Sequence, residues 1–352
     1  MKLILANPRG FCAGVHMAID VVDQLLEICP DEQICVYHEI VHNQHVVQRF
    51  VDRGVLFVQH VEDVPPGSIL VFSAHGVSPE IRKQADDRNL TSIDATCPLV
   101  TKVHTEAIRY AKWGWQIILI GHEDHQEVIG TRGEAPDAIQ ILETADGVSD
   151  LVIHDPEKLV YLTQTTLSTD DADLIINALK KEVPTIKAPP KSDICYATTN
   201  RQHAVRSIAP SCDLVLVVGS QMSSNSVRLT EISENLGTPA RLIDDTSELN
   251  FDWLEGVETL LVTAGASAPD DLVNDLIITI WKRFKPNIEQ WDIDRESIEF
   301  SLPRTLKNVM REKGMDPNTR TIMVDRVTDL ERHLKQLDIP LQTIDLTVGN
   351  SD

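Results

Sequence analysis

Three cysteines in this 352-residue chain are the residues best suited to hold a metal centre. Cys12, Cys97 and Cys195 each follow a short polar segment and precede a helical pattern. Pro98 suits the first turn of a helix, which places Cys97 directly before one. Because a thiol at a helix N-terminus is expected to have a lowered pKa, the pattern predicts thiolate ligands contributed by distant parts of the chain.

Other cysteine patterns common in metal proteins are missing from the sequence. The six cysteines include no C-x-x-C pair, whereas zinc ribbons and ferredoxin-type clusters use clustered cysteines. Disulfides are not expected in a long chain whose first residues do not resemble a signal peptide. Any shared metal site must therefore be assembled from separate segments.

Two polar loops follow each of these cysteines, and each loop comes directly after an apolar run. The first loops lie roughly 28 to 30 residues after the cysteine and the second loops roughly 63 to 72 residues after it. In chain order, the first loops are His42–Asn43, His122–Glu127 and Ser220–Ser226, and the second loops are Ser73–Gly76, Gln164–Thr166 and Thr263–Ser267. Nearly equal spacing predicts three copies of one supersecondary unit. Ordinary alternation of strands and helices gives similar spacing, but the His, Ser, Thr, Asn and Gly content of the loops favours a shared site.

The elements that must position these loops form an α/β pattern. Continuous apolar runs are typical of parallel strands covered on both faces, and they lie at Leu3–Ala6, Ile69–Phe72, Gln116–Ile120 and Leu214–Val218. We predict three similar lobes with small, mostly parallel sheets, whose carboxyl-end loops face one centre. The predicted segments are residues 1–96, 97–193, 194–309 and a C-terminal extension, 310–352.

The chain is strongly acidic, with a net charge of −22. This balance argues against nucleic acid or an anionic membrane as a partner. A phosphorylated substrate stays open, because helix N-termini and a few local cations can hold phosphate. No apolar run is long enough to cross a membrane, and the short apolar start predicts a cytoplasmic location.

Nine ordered motifs resemble the 4-hydroxy-3-methylbut-2-enyl diphosphate reductase family, also called the LytB family, whose members catalyse the last step of the non-mevalonate isoprenoid pathway. The motifs are ANPRGFCAGV (Ala6–Val15), HEIVHN (His38–Asn43), FSAHGVS (Phe72–Ser78), DATCPLVTKVH (Asp94–His104), IGHEDHQEVIGT (Ile120–Thr131), TQTTLS (Thr163–Ser168), DICYATTNRQ (Asp193–Gln202), VVGSQMSSNS (Val217–Ser226) and TAGASAP (Thr263–Pro269). The chain departs from the family at His16–Met17 and Gln126, and it extends past the usual end at about Val309.

The resemblance implies three lobes in a pseudo-threefold arrangement around one 4Fe–4S cluster. It implies that Cys12, Cys97 and Cys195 are the ligands and that one iron is left open to polarise the substrate's C–O bond. The implied reaction is reductive dehydroxylation of an allylic alcohol diphosphate to isopentenyl and dimethylallyl diphosphate. The electrons would come from a one-electron donor such as a ferredoxin or a flavodoxin.

The resemblance also implies roles for side chains in the loops. Glu127 is the expected proton donor, with Thr165 and His125 contacting the substrate and relaying the proton. The expected diphosphate-binding residues are His42, His75, Ser223, Ser224, Asn225 and Ser267. Protonated histidines would strengthen these bonds.

Six other residues of these types are expected to be structural or to support the site. Cys29, Cys35 and Cys212 fall outside the motifs and are interpreted as small apolar side chains. His38, His104 and His122 are interpreted as structural or supporting residues.

Two other functions fit three separate cysteines. A non-redox iron–sulfur dehydratase would use the same ligands without an electron donor. A zinc-binding structural module would use a three-cysteine site, although it leaves the six polar loops unexplained. The extension contains a helical pattern at Val327–Leu337, for which packing, an oligomer contact and mobility are the alternatives.

Overall fold

The computed structural model describes residues 1–318 and 330–347 of the chain. Its helices are α1 (Ala13–Ile28), α2 (Gln44–Val51), α3 (Pro79–Asp87), α4 (Pro98–Lys112), α5 (Gln126–Glu134), α6 (Thr169–Glu182), α7 (Tyr196–Ile208), α8 (Ser224–Asn235), α9 (Asp270–Phe284), α10 (Arg304–Glu312) and α11 (Leu330–Gln336). Its strands are β1 (Lys2–Asn7), β2 (Ile34–Tyr37), β3 (Leu56–Val58), β4 (Ile69–Phe72), β5 (Thr91–Asp94), β6 (Gln116–Ile120), β7 (Ile139–Leu142), β8 (Leu159–Thr163), β9 (Leu214–Val218), β10 (Ala240–Ile243), β11 (Thr259–Ala264), β12 (Asn287–Asp292) and β13 (Leu341–Asp345).

These strands form three separate sheets, and all of their pairings are parallel in the described residues. In chain order of their central strands, the first sheet is β3-β2-β4-β5, the second is β7-β6-β8 and the third is β10-β9-β11-β1-β12-β13. Helices connect the parallel strands and cover the sheets. The predicted α/β class with three small parallel sheets is confirmed.

The apolar runs that predicted strands are strands. β4, β6 and β9 have the predicted limits, and β1 extends the predicted Leu3–Ala6 run by one residue at each end. All five residues of β9 are buried, as expected for a parallel strand covered on both faces. The sequence was sufficient to predict these strands because burial on both faces gives a strand an uninterrupted apolar run.

The same unit builds all three sheets. After each cysteine come a helix, a central strand, a second helix, an edge strand, and then a strand on the other side of the central one. In the first sheet, β5 pairs with the outer side of β4. In the second sheet, the equivalent side of β8 has instead a single parallel bridge between Val160 and Lys187. The polar loops therefore lie at the carboxyl ends of strands, which brings them to equivalent edges of the three sheets.

The sheets differ from the predicted segments in two places. β1 does not join the first sheet, but lies between β11 and β12 of the third. β13, from the predicted extension, pairs with β12 over five residues. Strand order depends on long-range pairing, which a local apolar pattern does not encode.

The C-terminal segment packs onto the third sheet. Leu330, Leu334 and Ile339 are buried in the same apolar cluster as Leu3 and Leu276. Within the predicted helix Val327–Leu337, the described part forms α11 and the first three residues lie outside the described ones. Packing is thus the role that the structure supports for this segment. Among the described helices, none combines the length and the apolar character needed to span a bilayer.

Candidate active site

Each of the three cysteines sits directly before a helix, as predicted. Cys12, Cys97 and Cys195 are the N-cap residues of α1, α4 and α7. Their backbone N–H groups donate to Ala266 O at 3.1 Å, Ala74 O at 3.0 Å and Thr165 O at 3.0 Å, in that order. Each acceptor lies in the second polar loop of another copy of the repeat. The repeat therefore fixes the three cysteines by equivalent backbone bonds.

The three thiols converge on one cavity. A Cβ atom built on Gly14 would lie 2.6 Å from Cys97 Sγ and 3.8 Å from Cys12 Sγ, so α1 approaches these thiols at a residue without a side chain. Cys195 Sγ is 3.2 Å from Thr198 Oγ1 and accepts from Thr198 N at 3.4 Å.

The prediction of lowered thiol pKa values is wrong for two of the cysteines. Burial, reinforced by Cys12, raises the pKa of Cys195 to about 11 and raises that of Cys97 further. Desolvation outweighs the helix N-terminus because it disfavours any buried anion. A bound metal cation supplies the positive charge that keeps such buried thiols ionised.

The three thiols are suitable ligands for an iron–sulfur cluster. Within the described residues, no three His, Cys, Asp or Glu side chains converge as ligands of one metal ion. An iron–sulfur cluster spreads its thiolates over separate iron atoms, so the three sulfurs need not meet at one point. Thiolates are soft ligands and select iron–sulfur clusters, zinc or Cu(I).

Glu127 is a buried carboxyl group with two hydrogen bonds. It lies in the first turn of α5 and is 3% exposed. Thr165 donates to it twice, from N to Oε1 at 2.7 Å and from Oγ1 to Oε2 at 2.9 Å. Burial raises the pKa of Glu127 to about 7, although both bonds from Thr165 act in the opposite direction. A carboxyl group with such a pKa can hold and release a proton near neutrality.

Three histidines from three loops meet beside Glu127. The rings of His42 and His75 stack with centroids 4.0 Å apart, and His125 lies edge-on to both at 5.4 and 6.0 Å. Burial, with His42 and His122 nearby, lowers the pKa of His125 to about 3. Burial and the neighbouring histidines also hold the pKa of His75 well below its usual value. Both rings are therefore neutral in the absence of an anion.

The loop Ser220–Ser226, the first polar loop after Cys195, supplies hydroxyl and amide groups at the N-terminus of α8. Ser223 caps this helix, and Ser267 Oγ donates to Ser223 Oγ at 3.3 Å and to His42 O at 3.1 Å. Among the described residues, neither amide atom of Asn225 nor His42 Nε2 finds a hydrogen-bond partner, although these atoms are buried. Buried polar atoms are costly to leave unpaired, so these groups are well placed to bind a polar ligand.

All the predicted site residues line this cavity. They are Cys12, His42, His75, Cys97, His125, Glu127, Thr165, Cys195, Ser223, Ser224, Asn225 and Ser267. The three copies of the repeat thus bring the predicted metal ligands, the buried Glu127 carboxyl group and the predicted diphosphate-binding residues to one place.

The supporting residues lie outside the cavity lining. His104 Nδ1 is 2.9 Å from Glu134 Oε1, and His122 Nε2 is 2.8 Å from an Arg228 guanidinium nitrogen. The ring of His38 packs edge-on against Tyr37. Cys29 and Cys35 are buried in apolar clusters and Cys212 packs against a third, which agrees with the interpretation as small apolar side chains.

Four residues of the site were not singled out from the sequence. Gly14, Thr166 and Thr198 line the cavity. Arg201 is fully buried and donates to Gly10 O from Nε at 3.2 Å and from Nη2 at 2.8 Å, which ties α7 to the segment before Cys12. Gly14 had a sequence signal, because glycine inside a helical pattern marks a close approach. Thr166 and Thr198 lie inside the motifs but had no signal of their own, and the contact of Arg201 with Gly10 joins segments 191 positions apart.

Comparison with known proteins agrees with this geometry. The model of the LytB protein family matches residues 3–280. This chain belongs to the LytB family.

A LytB-family relative from Rhodopirellula baltica, named 4-hydroxy-3-methylbut-2-enyl diphosphate reductase, is 50% identical over 314 residues, which cover 89% of this chain and 98% of the relative. The relative of the same name from Mycolicibacterium gilvum is 46% identical, over 87% of this chain and 92% of its own. The solved structure of the E-1-hydroxy-2-methyl-but-2-enyl-4-diphosphate reductase from Plasmodium falciparum matches with a TM-score of 0.86 and 40% identity, covering 89% of this chain and 99% of that one.

Proposed function

We propose that this protein reduces (E)-4-hydroxy-3-methylbut-2-enyl diphosphate to isopentenyl and dimethylallyl diphosphate, the last step of the non-mevalonate isoprenoid pathway. The observation that carries the proposal is one cavity lined by three thiols, a buried Glu127 and the diphosphate-binding candidates. Relatives that share about half of the residues over nearly their whole length bear the name of this reductase.

An iron–sulfur cofactor is the group expected for this family. We assign one 4Fe–4S cluster to Cys12, Cys97 and Cys195, with one iron free of protein ligands. Such a cluster, when bound, supplies electrons one at a time and a Lewis acid for the C–O bond. The electrons come from a soluble one-electron donor such as a ferredoxin or a flavodoxin in the cytoplasm.

Glu127 is the proposed proton donor. The overall reaction adds two electrons and two protons, breaks the C–O bond and releases the hydroxyl as water. The protonated carboxyl group of Glu127 provides the proton for the leaving hydroxyl, and Thr165 Oγ1, at 2.9 Å from Glu127 Oε2, relays it. His125 orients the substrate beside them.

The diphosphate is held by the polar groups at the other end of the cavity. Hydroxyls of Ser223, Ser224 and Ser267 and the amide of Asn225 surround the N-terminus of α8, which favours an anion. The unpartnered Asn225 and His42 atoms gain partners on binding. An anionic ligand also favours the protonated form of His75.

Anaerobic purification tests this function directly. We expect iron and sulfide in the purified protein, and a change in the Mössbauer signal of one iron site on addition of the substrate. Product formation should require a reduced ferredoxin or flavodoxin. Turnover without reductant would identify a dehydratase instead, and a colourless protein containing zinc would identify a structural module.

A further inference from the structure

Arg228 joins two loops that come from different sheets. It lies on α8, in the turn that follows Ser224, and its side chain is 20% exposed. The loop Ser220–Ser226, which leads into α8, is called the serine-rich loop below. One guanidinium nitrogen is 2.8 Å from His122 Nε2. The other is 3.5 Å from Asp171 Oδ2, in the first turn of α6, and also contacts Glu231. Because a guanidinium only donates, His122 Nε2 is an acceptor in this contact.

Further hydrogen bonds connect His122 to the loop Gln164–Thr166, which lies beside Glu127. The backbone N–H of His122 donates to Gln164 Oε1 at 3.1 Å, and Gln164 Nε2 donates to Thr166 Oγ1 at 2.9 Å. Thr166 is the neighbour of Thr165, which holds Glu127. A continuous series of bonds therefore runs from Arg228 to the second loop that carries the proton relay.

The serine-rich loop reaches the same place directly. Ser224 Oγ donates to Thr166 O at 3.4 Å. This hydrogen bond between the two loops is weak, since 3.4 Å is long for a hydrogen bond between oxygens. The contact of Arg228 with His122 reinforces it. A charged donor forms the stronger bond of the two.

We propose that Arg228 is a positioning residue for the diphosphate. Through His122, it holds the serine-rich loop of the third sheet against the loops of the second sheet that carry His125, Glu127 and Thr165. The diphosphate then meets both sets of groups at once, without paying the entropy of ordering the serine-rich loop. The identity of the substrate in this inference rests on the proposed function, whereas the contact between Arg228 and His122 does not depend on it.

The test compares Arg228→Gln and His122→Leu with the wild-type holoenzyme. For each, the Kd of inorganic pyrophosphate is measured by calorimetry, and KM and kcat are measured with the diphosphate substrate and a chemical reductant. Loss of one charge-assisted hydrogen bond is expected to raise Kd and KM about tenfold. We expect kcat to change by less than about threefold, because Arg228 touches no reacting atom.

Two further variants separate positioning from folding. His122→Gln retains an acceptor for the guanidinium and should restore near wild-type Kd and KM. The Arg228→Gln/His122→Leu double variant should be no worse than either single variant, since both remove the same contact. Additive losses, or equal losses in His122→Gln and His122→Leu, would overturn the proposal.

Arg206 provides the matched control. Like Arg228, it lies outside the cavity lining and bonds the first turn of α6, through Asp170 at 2.8 Å. Unlike Arg228, its bonds go to α6 and α7, through Thr169 and Gln202, and not to the loop of His122. Arg206→Gln should leave Kd and KM unchanged; an equal effect of both arginine substitutions would contradict a specific role for Arg228.

If Arg228→Gln weakens pyrophosphate binding while the wild type fails to reduce the substrate, the proposed function is wrong and the positioning role stands. If reduction is normal and pyrophosphate binding is unaffected, the positioning role alone is wrong.

Discussion

Glu127 shows how the environment of a single residue creates its chemistry. The side chain is almost fully buried, and Thr165 occupies both of its oxygens. Replacing it as Glu127→Gln preserves size and hydrogen bonding but removes the ionisable proton. We expect kcat to fall by about a hundredfold to ten-thousandfold, the usual share of general acid catalysis, with KM nearly unchanged. Iron content and thermal stability equal to wild type are the control; a kcat within twofold of wild type would exclude Glu127 as the donor.

The pH dependence of the reaction follows from the same carboxyl group. Burial raises the pKa of Glu127 to about 7. The acid form is the active one, so kcat/KM should be highest below pH 7 and decrease about tenfold for each pH unit above it. The profile should be measured with a one-electron donor whose own reduction takes up no proton. The residual activity of Glu127→Gln should lack this basic limb, and a limb that persists in the variant would belong to another group.

At this scale the sequence could indicate residue types but not their ionisation. Cys12, Cys97 and Cys195 were recognisable from their motifs and from the helices after them. The raised pKa values of Cys97 and Cys195 could not be predicted, because desolvation depends on segments far away in the chain. The same holds for His75 and His125, whose pKa values are lowered by burial and by neighbouring histidines, His42 among them.

Among the elements, the repeated βα unit explains why distant cysteines meet. The spacing of the polar loops was sufficient to predict three copies, because each copy places two loops at the carboxyl ends of its strands. It was not sufficient to predict that β1 lies between β11 and β12. That insertion links the segment before Cys12 to the third sheet, and it depends on pairing between residues more than 250 positions apart in the chain.

Helix α1 can approach the thiols only because residue 14 is glycine. A Cβ there would lie 2.6 Å from Cys97 Sγ, closer than van der Waals contact permits. Gly14→Ala normally stabilises a helix by about 1 kcal/mol, but here we expect it to displace Cys97. Iron and sulfide per chain should fall, and activity should fall in the same proportion.

Gly130→Ala is the matched control for this substitution. It makes the same change inside α5, where the nearest atom to the added Cβ would be 3.4 Å away. This variant should retain wild-type iron content. If Gly14→Ala binds as much iron as Gly130→Ala, the close approach of α1 is not what the cluster requires.

For the molecule as a whole, the C-terminal segment extends the third sheet, in a chain that is longer than its Rhodopirellula baltica relative. The match with the Rhodopirellula baltica relative includes 314 residues of this chain and nearly all of that protein. β13 then covers the open edge of β12, and Arg295 pairs with Asp345 beside it. Covering an edge strand removes unpaired backbone groups, and β12 also contacts β1, which leads to Cys12. The sequence pattern indicated a helix here but not the strand pairing that anchors it.

Two leucines near α11 provide a test of whether this segment contributes to the stability of the whole fold. Leu334 is 1% exposed and packs in the core of the third sheet, whereas Leu337 is 45% exposed. Leu334→Ala should lower the free energy of unfolding by about 2 to 5 kcal/mol, as for other buried leucines. Leu337→Ala should change it by less than about 0.5 kcal/mol. Denaturant unfolding of the apo-protein under anaerobic conditions measures both. Equal and small effects would mean that α11 does not contribute to the core, and that the third sheet is stable without it.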